Sequence, residues 1–121
     1  RLLDKDVAKR LSELKPIDSW HFAFDSIDYQ DDVIKGISVL NGAGVDVRHR
    51  INWYVYLHND EQYEDALERC NILRKENALP YIMVNRETKR TQRMTDLKRW
   101  TRPQIFFSIP FEQYKRQNKP F

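Results

Sequence analysis

Hydrophobic and polar positions along this chain alternate between two periods, and each change of period marks a new element. Ile51 to His58 is the clearest case. Ile51, Trp53, Val55 and Leu57 share one face of an extended segment, and Asn52, Tyr54, Tyr56 and His58 share the other. Asn59 and Asp60 then offer N-cap oxygens, with Glu61, Glu64 and Asp65 placed where a helix dipole favours negative charge. Tyr63, Ala66 or Leu67, Cys70 and Leu73 recur at helical spacing and predict a buried stripe. Lys75 suits the end of that helix, and Asn77 can take the left-handed conformation that follows it. Leu79 to Val84 is a short apolar run opened by Pro80, whose missing N–H breaks no central ladder bond there. Strand, helix and strand of these lengths imply a right-handed crossover between parallel strands.

The signals repeat on either side. Asp4 or Asp6 caps a first helix carrying Val7, Leu11 and Leu14, which Pro16 ends. Ser19 to Asp25 alternates as a strand, with Trp20, Phe22 and Phe24 opposite His21, Ala23 and Asp25. Ser26 or Asp28 caps a second helix whose stripe is Val33, Ile34, Ile37 and Leu40, and Asn41-Gly42-Ala43-Gly44 stops it. Gly36 inside that helix costs about 1 kcal/mol against alanine and points to close packing. Val45 to Arg50 leads into the central strand. Beyond Val84, Met94, Leu97 and Trp100 predict a short helix stopped by Pro103. Gln104 to Ile109 reads as a final strand, and Phe111 with Tyr114 as a last helical turn.

This alternation predicts an α/β fold with a parallel sheet. Parallel sheets normally bury both faces, yet two of these strands carry a polar second face. Helices outside and polar or aromatic groups inside describe the wall of a (βα) barrel, and three or four strands cannot close one. The expectation is a half TIM-like barrel, a single domain over residues 1–121.

Composition narrows the picture modestly. Aromatic content of 12% and 40% hydrophobic residues describe a folded chain, and a net charge of +3 is mild. One cysteine excludes an internal disulfide and a cysteine-built metal site. No apolar run approaches the roughly 20 residues of a membrane span and no signal peptide is visible, so a cytoplasmic protein without membrane partners is expected. The first residue is Arg rather than Met, which suggests a processed, cleaved or fragmentary chain.

Chemistry in such sheets sits at the carboxyl ends of the strands. The inward residues there are Asp25, His58 and Asn85, backed by Tyr56 and Met83. Together they could hold a polar cofactor; singly, each could cap the next helix or bind water. Cys70, in a helical stripe, reads as a small hydrophobe, and the three histidines lack zinc-site spacing. Arg86, Lys89, Arg90, Arg93, Lys98, Arg99 and Arg102 form a basic stretch that could bind phosphates, with Trp100 available to stack on a base. Such runs are more often solvated faces, and nucleic acid is not an expected partner.

The order FAFDS, GAG, WYVYLHND, EDALERC, PYIMVNRE, LKRWTRP, IFFSIPFEQY resembles the second half of the radical S-adenosylmethionine barrel, in bacterial or phage-type members, over Trp20 to Tyr114. The resemblance implies a partial (βα)6 barrel that reductively cleaves S-adenosylmethionine to a 5′-deoxyadenosyl radical. The family's C-x-x-x-C-x-x-C motif, which holds its [4Fe–4S] cluster, is not present. It would lie upstream of Arg1, in a missing N-terminal half that would be this chain's partner. Asp25 would match a polar residue contacting the ribose or methionyl part of the cofactor, with His58 and Asn85 at the next two strand ends. Both S-adenosylmethionine and the cluster are expected in the full-length parent, and neither in this chain, which would be inactive alone. The alternatives are an α/β binding module using residues 86–102 for phosphate or nucleic acid, and an interaction domain that dimerises through its open face.

Overall fold

The computed structural model describes residues 5–6, 9–10, 20–85, 87 and 89–117. Strands β1 (Trp20–Ala23), β2 (Ile51–Leu57) and β3 (Leu79–Val84) form a parallel sheet in the order β1-β2-β3. The register sets Ala23 beside Tyr54, Tyr54 beside Tyr81, and Tyr56 beside Met83. Helix α1 (Gln30–Gly42) connects the first two strands together with a single turn, α2 (Val47–Arg50). Helix α3 (Tyr63–Lys75) connects the second and third. Then follow α4 (Gln92–Trp100), the single turn α5 (Pro103–Phe106) and α6 (Phe111–Gln117).

Local chemistry explains the boundaries. The Ser26 hydroxyl accepts from the Asp28 N–H and opens the 3-10 turn leading into α1. The Asn59 side chain does the same for Glu61 ahead of α3. Gly44 at φ +86° and Asn77 at φ +59° take the left-handed conformations that end α1 and α3. Thr91 caps α4 by accepting from the Met94 N–H.

Val45 to Arg50 does lead into β2, and within it Asp46 accepts from the His49 N–H and closes residues 47–50 into a helical turn. One expectation is corrected. Gln104 to Ile109 is not a strand. Pro103 pre-sets a helical φ at the first position of α5, and both Ile105 and Phe106 N–H groups return to the Arg102 carbonyl. An apolar run this short has no period of its own, and the Phe106 ring turns onto Trp100 at 4.8 Å between centroids. Of the first predicted helix, residues 5–6 and 9–10 are helical, while Val7, Leu11, Leu14 and Pro16 lie outside the described residues.

The two sheet faces differ sharply. Ile51, Trp53, Val55 and Leu57 are buried beneath the helices, with Ile82 of β3 beside them. Val33, Ile37 and Leu40 of α1, and Ala66, Cys70 and Leu73 of α3, complete that core. Each large apolar side chain buried there contributes about 1.5–3 kcal/mol. On the other face Tyr54 and Tyr56 are half-buried, His21 and Ala23 are exposed, and Tyr81 and Met83 are 50% and 36% exposed. The described residues form an open parallel α/β sheet with helices on one side.

Candidate functional site

The open face carries a row of rings running across the strands. Tyr54 Oη is hydrogen-bonded to His21 Nδ1, and the Tyr54 ring meets Tyr81 edge-on at 5.6 Å. Nearer the carboxyl ends, the Tyr56 and His58 rings lie 4.1 Å apart. Tyr56 and Met83 are register partners near the carboxyl ends of β2 and β3, while Asp25, His58 and Asn85 lie just past the last residues of β1, β2 and β3. All five residues therefore sit at one end of the sheet.

Their local roles differ. Asp25 is exposed, and the cap of the turn that follows belongs to Ser26. The Asp25 carboxylate is thus not consumed by capping. The His58 backbone N–H donates to Gln62 Oε1 at 2.9 Å, while its ring packs on Tyr56. Asn85 Oδ1 accepts from the Glu87 N–H at 3.1 Å, a local turn contact that favours a structural role for Asn85.

One residue at this end carries no signal in the apolar pattern. Arg69 of α3 is 2% exposed and lies behind the strand ends. Its Nη1 donates to the Phe24 carbonyl at 2.7 Å, its Nη2 to the Tyr56 carbonyl at 3.3 Å, and its Nε to Asp65 at 2.6 Å. The Tyr54 carbonyl still takes the Phe24 N–H. Tyr56, two residues on, points its carbonyl the same way into space that β1 has left, and the guanidinium replaces the lost strand. The clue in the sequence is the Asp65–Arg69 pair at i, i+4, with Arg69 three residues beyond Ala66.

A second clamp joins the loops after β2 and β3. Asp60 accepts from Thr91 Oγ1 at 2.6 Å and from Arg93 Nε and Nη2 at 2.9 and 2.7 Å. The Arg93 guanidinium also lies 4.3 Å over the Tyr63 ring. Hydrogen bonding from Arg93, then from Thr91, lowers the Asp60 pKa from its ordinary 3.8 to about 2. A carboxylate whose pKa falls on folding adds stability above its unfolded value, and loses it as pH drops toward the folded value. The stability gap between wild type and Asp60→Asn should therefore be constant above about pH 5 and close between pH 4 and 2. Urea melts across that range check it; a gap unchanged at pH 2 would show that ionisation of Asp60 is not its source.

The remaining candidates separate cleanly. Cys70 is fully buried, and desolvation pushes its thiol up to about 12, so it is inert at neutral pH. Trp100 is no stacking platform: it is fully buried, donating from Nε1 to the Ile109 carbonyl at 2.9 Å. Arg86 lies outside the described residues. Among the described residues, no group of three or more His, Cys, Asp and Glu side chains is arranged to hold a metal ion. No helix among them is long and apolar enough to cross a membrane. Comparison with protein-family models, curated proteins and solved structures finds no match for this chain.

Proposed function

We propose that this chain is the C-terminal half of a radical S-adenosylmethionine barrel, the open face of its sheet serving as inner wall. The observation that carries this reading is the division of the sheet. Helices cover one face, and the other presents rings and polar groups, with the His58 ring packed on Tyr56 at the strand end and Asp25 exposed just past β1. The sequence resemblance over Trp20 to Tyr114 supports it independently.

The two implied groups fit this chain differently. A [4Fe–4S] cluster needs at least three thiolates, and the one cysteine here is buried and protonated. The cluster does not fit and belongs to the other half. For S-adenosylmethionine, the exposed Asp25 would accept from ribose hydroxyls or the methionyl ammonium, with Tyr56, His58 and Met83 as the neighbouring groups of the strand ends. The chain alone is inactive in this reading, and its partner is the cluster-binding half, working in the cytoplasm. A second copy seated on the exposed Tyr81 and Met83 is the alternative occupant of the open face.

The encoding reading frame tests this directly. The expected result is an in-frame C-x-x-x-C-x-x-C motif upstream of the Arg1 codon. A stop codon just ahead of a start at that position would overturn it.

A further inference from the structure

The basic segment after β3 divides into parts with different fates. Arg93 is held by Asp60, with Glu64 at 3.8 Å. Arg90, Lys98, Arg99 and Arg102 instead line a cleft of about 520 Å³ beside Leu79–Ile82, the amino-terminal part of β3. No acidic residue lines this cleft. Among the described residues, none of the four cations has a carboxylate partner. The chain as a whole nearly balances its charge, with 21 Lys and Arg against 18 Asp and Glu. Four unopposed cations around one hollow are therefore a local concentration.

The helix dipole accounts for part of this arrangement. Cations in the last turn of α4 are favoured there, which suits Lys98 and Arg99. It does not account for Arg90, which reaches the same cleft from the loop ahead of α4. Nor does it explain why Lys98 is drawn half out of solvent among like charges. An anion between them would relieve that repulsion. The cleft has the size of a small-molecule site, and the half-exposed Tyr81 is among the residues that line it. As an edge strand among the described residues, β3 also turns unpaired backbone groups outward.

We propose that this cleft binds a small phosphorylated ligand. Arg90, Lys98, Arg99 and Arg102 hold the phosphates, and a ring or apolar portion lies against Tyr81. The inference is independent of the barrel reading, because the cleft lies along the other half of β3 from the Met83–Asn85 end.

Calorimetric titration of this chain with pyrophosphate, ADP and a single-stranded oligonucleotide provides the test. Pyrophosphate and ADP are expected to bind, ADP more tightly. Arg99→Glu and Arg102→Glu alter exposed positions and should each weaken ADP at least about tenfold, as loss of a charge-assisted contact does. Lys89→Glu makes the same charge change at an exposed residue outside the cleft and should leave affinity within about twofold. Equal weakening by all three variants would reduce the effect to diffuse charge and overturn the site. So would absence of binding by both phosphate probes, or binding of the oligonucleotide alone.

Discussion

Arg69→Ala is expected to cost about 3–5 kcal/mol, the largest stability effect at any charged position described. The guanidinium is buried and satisfies carbonyls on two different strands. Truncation leaves the Phe24 and Tyr56 carbonyls without that donor, at about 1–3 kcal/mol for each buried polar group, and opens a void beneath them. The Asp65 end of the same side chain matters far less. Its carboxylate is 42% exposed, so Asp65→Asn should cost no more than about 1 kcal/mol. Arg69→Lys should fall near alanine rather than wild type, since a single ammonium nitrogen lacks the rigid planar fork by which Nε, Nη1 and Nη2 reach three separate acceptors. Urea unfolding of the three variants checks the ranking. Equal losses for Arg69→Ala and Asp65→Asn would mean that the surface ion pair, not the strand-end staple, is what matters.

That staple also shows where sequence reading stops. The apolar periods place β2 and β3 within a residue and give the buried stripes of α3 and α4, because those positions are hydrophobic. Asn59 and Asn77 mark the approach to and exit from α3, while Thr91 as the cap of α4 shows only in the hydrogen bonds. Alternation likewise anticipates the open face, since Tyr54, Tyr56 and Tyr81 fall opposite the buried positions. Arg69 escapes this logic. A charged residue is read as solvent-facing until the carbonyls it serves are known, and those come from residues 45 and 13 positions away. Ile105 and Phe106 fail for another reason: a three-residue apolar run fits either period, and Pro103 with the Trp100 ring decides it. At the strand ends the sequence names Asp25, His58 and Asn85 alike, and only hydrogen bonds separate them. Asn85 is tied to Glu87, and Ser26 relieves Asp25 of capping.

The second large effect follows from that freedom of Asp25. On the barrel reading, Asp25→Ala in the proposed full-length parent should weaken S-adenosylmethionine about ten- to a hundredfold. A charge-assisted hydrogen bond to a ribose hydroxyl or the methionyl ammonium is worth roughly 1.5–3 kcal/mol, which converts to that range. Thermal stability should not follow, since a helix cap worth about 1 kcal/mol would be lost only if Asp25 supplied it. Ser26→Ala provides the opposite pattern, with a lowered melting temperature and intact affinity.

Calorimetric titration of S-adenosylmethionine into the cluster-loaded complete protein and its Asp25→Ala variant, with a thermal melt of each, tests the barrel reading most directly. The reading predicts saturable binding to wild type and a ten- to hundredfold loss in the variant, at unchanged melting temperature. Equal affinity in the two proteins, or no binding to either, would contradict it.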